Sequence, residues 1–496
     1  MRDTESSVSL VPGACPGPRS GIHRDDVRTP AFAGVTYRGL FTSSSTIDVV
    51  VKYMTLSKVL VMTPIYQRPA EILQKLIRFN TTNPPGNEKE CIAYIADLLA
   101  EGGIEYTIAA RSPDRPNLVG RIPGAGNAAP LLLQGHVDVV TAEKQDWQHP
   151  PFEGREVDGV IWGRGALDMK GGIAMMLAAA LRAKAEGVTL RGDVVLAIMS
   201  DEESFGNCGA KYLVENHANL FAGIKYAIGE LGGFSLYLDT KKFYPIMVAE
   251  KQFCWIKATV RGPGGHGSLP VRGGAVEKLS QLLGKFHTSN LPVHVTPAAR
   301  LMIASIASSL GGMKGFVLNQ LTNPLLTDGV LKLLGERGRT FYPLLRNTVS
   351  PTVLHGSNKI NVIPGEASVE MDGRLLPGFS PDDLIRELRA VTGDGVCFEV
   401  LQYDPGPPEP DMGLFGVLSD ILKELDPDGI PVPLLLSATT DARCFAKLGI
   451  QTYGFIPMKL PEGFDFTKMI HAANERIPIE AVAFGADAIF RLLQRF

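Results

Sequence analysis

Apolar positions along the chain follow two rhythms. Ile72, Leu73, Leu76 and Ile77 recur at helical spacing, as do Ile92, Ile95, Leu98 and Leu99. Gly102-Gly103 closes the second group, and Asn83-Pro84-Pro85-Gly86-Asn87 lies between the two. This predicts two helices joined through a turn. Continuous apolar runs come next: Leu131–Leu133, Val194–Met199 and Tyr226–Ile228. Short runs bounded by polar turns predict strands buried on both faces. Strands and helices alternate to about Glu250, the pattern of an α/β sandwich.

From Phe253 the pattern changes. Cys254–Val260 reads as a strand, Gly262-Pro263-Gly264-Gly265-His266-Gly267 as a turn, and Val276–Phe286 as a helix. A Gly- and Leu-rich segment, Leu301–Leu345, follows. A strand at Ser368–Met371, a helix at Asp382–Val391 and a strand at Val396–Tyr403 complete a separate α+β unit. Pro405-Gly406-Pro407-Pro408-Glu409-Pro410 reads as a linker. The remainder returns to strands and helices and ends on a helix, Ala481–Leu493. One domain interrupted by an inserted one is the expected organisation: residues 63–250 and 405–496 around residues 251–404.

Composition adds exclusions. The 496 residues suffice for several domains, with 45% hydrophobic and 20% charged residues and a formal net charge of -3. That balance gives no electrostatic case for nucleic acid or an anionic membrane. No uninterrupted apolar stretch reaches membrane-spanning length. Cys15, Cys91, Cys208, Cys254, Cys397 and Cys444 are scattered without CxxC spacing. They argue against a disulfide framework and fit a reducing cytoplasm. Residues 1–62 differ in character. Up to about Thr46 they are rich in Ser, Gly, Pro and Arg, and Pro18–Thr36 resembles translated intergenic repeat sequence. Asp3 and Glu5 do not suit a signal peptide. The expectation is a disordered tail, or an extension ahead of a start at Met54 or Met62.

Each early apolar run ends on side chains able to hold a cation. The first reaches His136-Val137-Asp138, the second Asp201-Glu202-Glu203, the third Glu230. In open α/β sheets, functional groups gather beyond the carboxyl ends of strands. A His with several carboxylates there forms a hard, oxygen-rich site for a divalent metal. His136 and Asp138 share a face of an extended segment, so Asp138 could accept from the ring N–H of a ligating His136. Alone, the same pair reads as a polar loop. Asp168 stands in Gly163-Arg164-Gly165-Ala166-Leu167-Asp168-Met169-Lys170-Gly171-Gly172, where a carboxylate could bridge two metals. It could equally cap the following helix. Glu202 and Glu203 could split between base and ligand; the plain alternative is a solvated acidic loop. His471 opens His471-Ala472-Ala473-Asn474-Glu475, with no local context of its own. No phosphate-cradling order such as GxxxxGK[ST] is present.

Taken in order, HVD, GRGALDMKGG, SDEE, GELGG, RGPGGHGS, NVIP, DGRLLPG, TTDAR and HAANER resemble the di-zinc metallopeptidase family of aminoacylases, acetylornithine deacetylases, succinyl-diaminopimelate desuccinylases and glutamate carboxypeptidases. The resemblance spans Pro69 to Phe496. It implies a three-layer α/β/α catalytic domain with an inserted ferredoxin-like α+β lid. It implies two Zn²⁺, with Co²⁺ or Mn²⁺ also compatible. By motif, Asp168 would bridge the metals, His136 and Glu230 would bind one, and Glu203 and His471 the other. Glu202 would be the general base towards a metal-bridging water, and Asp138 would orient His136. In the lid, His266 would reach a partner subunit's site and stabilise the oxyanion; Asn361 and Arg374 would bind substrate, Arg374 through its carboxylate. A turn role for His266 and a lid ion pair for Arg374 remain the alternatives.

The implied reaction is hydrolysis of an amide or peptide bond in a dipeptide or N-acyl amino acid. A biosynthetic deacylase and a catalytically dead binding protein are the competing readings. Glu at position 230 and the length of Leu301–Leu345 lean towards carboxypeptidase- or N-acyl-amino-acid-hydrolase-like members. The long segment is expected to lengthen the lid, where the family's homodimer contacts lie.

Overall fold

The computed structural model describes residues 63–407 and 409–496. The tail expectation, with its starts at Met54 or Met62, lies outside them, as does Pro408 of the linker.

The large sheet runs in the order Glu105–Ala110, Pro116–Ile122, Val194–Met199, Leu131–His136, Tyr226–Gly229, Gln451–Gly454, Lys241–Glu250, Gly429–Leu436. Val194–Met199, Leu131–His136, Tyr226–Gly229 and Gln451–Gly454 are mutually parallel neighbours. The flanking pairs, with Pro116–Ile122 on one side and Lys241–Glu250 on the other, are antiparallel. The sheet is therefore mixed.

The continuous apolar runs are explained by burial on both faces. Leu131, Leu133, Val194, Leu196 and Ile198 pack with helices Pro69–Ile77, Lys89–Glu101, Lys170–Ala185 and Ile479–Arg495. Leu132, Val195, Ala197 and Met199 point the other way, against Ala210, Leu213, Phe221 and Phe445. Successive strand residues face opposite layers, and the result is a three-layer α/β/α body.

A second sheet has four antiparallel strands in the order Thr348–His355, Glu366–Leu375, Gln252–Arg261, Cys397–Tyr403. Helices Ala275–Thr288 and Pro381–Thr392 cover one face through Leu279, Leu282, Leu384 and Leu388. This is the α+β unit of the lid. The turn around His266 contains a short strand, Gly265–His266, paired with Val362–Ile363.

Leu301–Leu345 folds as helices, chiefly Pro297–Leu310, Gly312–Asn319, Thr327–Leu334 and Glu336–Phe341. Its apolar residues Met302, Ile303, Leu318 and Leu331 cluster with Ala249 and Leu435 at the edge of the large sheet, and with Leu376 at the end of a lid strand. The Gly- and Leu-rich composition thus supplies a small helical layer at that edge, because an uncovered apolar strand pair there would face water.

Candidate metal centre

Parallel pairing brings three strand ends to one sheet edge. His136 is the last residue of its strand and pairs with Met199, two residues before Asp201. Glu230 follows Gly229, the last residue of the neighbouring parallel strand. Asp168 reaches the same place from a loop. A Cβ at Gly171 would lie 2.2 Å from the Ala166 carbonyl oxygen, and Gly165 has φ +87°, so the loop doubles back as only glycine allows. Asp168 does not cap the following helix: Lys170–Ala185 has Met169 at its N-cap and no side-chain cap.

The side chains converge. His136 Nε2 lies 3.2 Å from Asp168 Oδ1, 3.5 Å from Glu230 Oε2 and 4.0 Å from Glu202 Oε2. His471 Nε2 lies 3.2 Å from Asp168 Oδ2 and 3.3 Å from Glu203 Oε2. The two oxygens of Asp168 thus face the two imidazoles. Donor atoms of His136, Glu202 and Glu230, and of His136, Asp168 and Glu203, fall within 4.8 Å of one another.

Two buried atoms in this cluster, His136 Nε2 and Glu203 Oε1, have no hydrogen-bond partner. Buried polar atoms are rarely left so unless another ligand takes the lone pair. Imidazole and carboxylate donors at these separations fit divalent cations.

Electrostatics point the same way. Burial, with repulsion from Glu230, pushes Glu202 well above the usual carboxylate range. Burial likewise lifts Glu203 and raises Glu230 to about 8. Hydrogen bonding to Asp168 and Glu203 raises His471 to about 10. Asp168 is held below its ordinary value, because the close approach of the His136 and His471 imidazoles outweighs its burial. So many carboxylates packed together call for positive charge.

Asp138 differs in detail from the expectation. The nearest acceptor to His136 Nδ1 is the Asp138 backbone carbonyl, at 3.0 Å, with the carboxylate at 3.4 Å. That carboxylate also accepts from the backbone N–H groups of Glu202 and Glu203, each at 3.1 Å.

The lid residues have partners of their own. His266 is exposed and its Nδ1 lies 2.8 Å from Ser268 Oγ. The Asn361 backbone carbonyl accepts from Gly267 N–H at 2.8 Å, so the His266 turn and the Asn361 segment lie side by side. Arg374 makes a forked pair with Asp372, at 2.9 and 3.1 Å, and donates to Thr439 Oγ1.

Several residues escaped sequence reasoning. Glu475 accepts from the backbone N–H groups of Gly165, Leu167 and Asp168 and from Arg164. Its place in the HAANER motif was the available signal. Phe205 has φ +74°, and its ring meets Trp255 of the lid edge-on at 4.7 Å. Asn83, which is buried, and Arg115, which is half-buried, both meet Asp201 behind the cluster. Nothing in the local pattern of the sequence marks Asn83 or Arg115.

The model of peptidase family M20/M25/M40 matches residues 132–495. The chain belongs to this family. It is a hydrolase of amide or peptide bonds, from a metal-dependent family. Human N-fatty-acyl-amino acid synthase/hydrolase PM20D1 is 29% identical over 377 residues, covering 74% of each chain. Aminoacylase-1 of Sus scrofa is 25% identical over 435 residues, covering 85% of this chain and 93% of that one. The crystal structure of an M20 family metallo-carboxypeptidase, Sso-CP2 from Sulfolobus solfataricus, superposes with a TM-score of 0.62 at 16% identity, covering 86% of this chain and 98% of that one. That likeness speaks to the fold. Among the described residues, no helix is long and apolar enough to cross a membrane.

Proposed function

We propose that this member hydrolyses the amide bond of a small dipeptide or N-acyl amino acid, using two zinc ions held by His136, Asp168, Glu203, Glu230 and His471. The observation that carries the reading is the Asp168 carboxylate set between His136 and His471 at 3.2 Å on each side. When bound, a pair of divalent cations supplies Lewis acidity to the scissile carbonyl and acidifies the attacking water.

The chain's own residues do the rest. Glu202 lies in the cluster, and its raised pKa suits a group that takes the water's proton and returns it to the leaving amine. Asp138 fixes the ring of His136 through Nδ1 and leaves Nε2 facing the carboxylates. Residues 63–250 with 405–496 form the catalytic domain, and 251–404 contain the lid. Arg374 would receive the substrate carboxylate by exchanging Asp372 for it. Asn361 would bind substrate, and the exposed His266 would serve the site of a second copy and help hold the oxyanion. Two features support a homodimer through the lid. Thr348–His355 is an edge strand of the lid sheet, and its Val353 and Leu354 are exposed, as are Ile360 and Val362 in the segment that follows it. The scattered cysteines, without CxxC spacing, favour a reducing cytoplasm.

The deciding experiment is a screen of dipeptides and N-acyl amino acids against protein reconstituted with Zn²⁺, Co²⁺ or Mn²⁺, with molar mass measured alongside. Turnover of one such class that stops on chelation is expected. Turnover that survives chelation with no metal bound would sink the reading.

A further inference from the structure

The two glutamates most exposed to misplacement, Glu202 and Glu203, sit on a loop that has little secondary structure of its own. We propose that Asn83 and Arg115 are positioning residues for the metal-dependent hydrolysis, fixing this loop from behind through Asp138 and Asp201. The inference rests on the reading of Glu202 as base and Glu203 as ligand.

The chain of contacts is continuous. Arg115 binds Glu88 in a fork, Nη2 to Oε1 at 2.8 Å and Nε to Oε2 at 3.2 Å. Its Nη1 lies 2.8 Å from Asp201 Oδ1. Asn83 Nδ2 donates to Asp138 Oδ2 at 2.9 Å and to Asp201 Oδ1 at 3.1 Å. Asp138 then accepts the backbone N–H of Glu202 and of Glu203. Asp201 accepts Cys208 N–H on its other oxygen at 2.8 Å. Both ends of the loop are therefore tied to side chains that Asn83 and Arg115 hold.

The ties are made where the backbone needs them. Asp201 has φ +73°, a left-handed conformation that Asp tolerates but does not prefer. Glu88, Asp138 and Asp201 are nearly or wholly buried. Left uncompensated, Asp138 and Asp201 would repel one another, and Arg115 and Asn83 stand between them. The turn at Asn83–Gly86 is shaped for this arrangement. A Cβ at Gly86, where φ is +79°, would fall 2.3 Å from Arg115 Nε. Only a glycine there admits the guanidinium.

The test compares Arg115→Met and Asn83→Leu with Arg115→Lys, all as full-length chains. Hydrogen exchange on the metal-free protein is expected to speed up by at least about tenfold at the amides of Glu202, Glu203, Gly206 and Cys208. Exchange in the strands Leu131–His136 and Val194–Met199 should stay unchanged. In reconstituted protein, kcat is expected to fall by about 10- to 100-fold, the usual cost of losing a supporting contact behind a metal site. KM should move by no more than about threefold, because the loss falls on the transition state. Arg115→Lys should recover part of both effects. Unchanged exchange across 202–208, or a uniform rise across the whole chain, overturns the proposal. Exchange needs no substrate, so it judges positioning even if the wild type hydrolyses nothing. That last result would overturn the proposed function alone. If Asn83→Leu does not fold, Arg115→Lys against wild type decides.

Discussion

Glu475 accepts a hydrogen bond from the backbone N–H of Asp168 at 3.1 Å, across more than three hundred residues of sequence. The same carboxylate accepts from Leu167 and Gly165 and pairs with the buried Arg164 at 2.7 Å. Asp168 therefore owes its position between two imidazoles to a side chain that would bind no metal. Replacing Glu475 with Ala leaves Arg164 as an unpaired buried charge, and breaking such a pair typically costs about 3–5 kcal/mol. Glu475→Ala is expected to lower the denaturant midpoint and to weaken metal retention. Glu475→Gln keeps the shape and part of the hydrogen bonding, and should be milder on both counts. Equilibrium unfolding with and without Zn²⁺ checks this; equal midpoints for wild type and Glu475→Ala would refute it.

Glu202 and Glu203 are neighbours with different expected fates. Glu203 meets His471 at 3.3 Å and has one unpartnered oxygen, as a ligand would. Glu202 stands 4.0 Å from His136, close enough to share a water with the cluster. Glu202→Ala is expected to keep its metal while kcat drops by about 10²- to 10⁴-fold, the range for removing a general base. Asp168→Ala is expected to lose metal as well as activity, since Asp168 faces both imidazoles. Metal content by mass spectrometry beside kcat separates the two. A Glu202→Ala chain stripped of metal contradicts the division of roles.

Apart from His471, which only the ordered motifs pointed to, the cluster was legible because its members announce themselves locally. His136, Glu202, Glu203 and Glu230 follow apolar runs, and parallel pairing of those runs carries them to one edge. Asp168 lies among glycines whose need for close approach is visible in the sequence. What supports the cluster was not legible. Asn83, Arg115 and Glu475 act on backbone N–H groups or carboxylates far away in sequence, and no periodicity encodes such a bond. The left-handed backbone at Asp201 and Phe205 is equally silent, since neither is a glycine. The strand Glu105–Ala110 is exposed along nearly all its length, so it lacks the apolar signature of the central strands. Leu301–Leu345 showed its hydrophobicity but not its destination, because covering the edge of the large sheet is a tertiary fact.

Proton release should accompany metal loading. In the metal-free chain, burial raises Glu230 to about 8, and bonding to Asp168 and Glu203 raises His471 to about 10. Both therefore hold a proton at pH 7, and both must lose it to bind a cation. Metal affinity is expected to tighten as pH rises from 7 towards 8 and beyond, and to weaken as pH falls. His136 is also raised well above its ordinary value, so titration calorimetry in buffers of different ionisation enthalpy should report at least about two protons released. Loading at pH 7 with no proton released would show that the two are already deprotonated.

Lys251 offers a test of the fold away from the metals. It is fully buried, and its Nζ donates to the carbonyls of Pro343 and Arg346 at 3.0 and 2.8 Å and to Thr348 Oγ1 at 3.0 Å. Burial, then the charge of Arg374, pulls its pKa down to about 7, against about 10.4 in an unfolded chain. Between those values the unfolded chain holds a proton that the folded one has released. Raising pH through this window therefore adds to stability, and the gain is complete above the unfolded value. It is lost as pH falls towards 7, with a slope of up to about 1.4 kcal/mol per pH unit. Lys251→Met removes the group from both states. The difference in unfolding free energy between wild type and Lys251→Met should then rise with pH from 7 to 10 in favour of the wild type. A difference that stays flat across that range would mean the ammonium is charged in the fold, held by its acceptors despite burial.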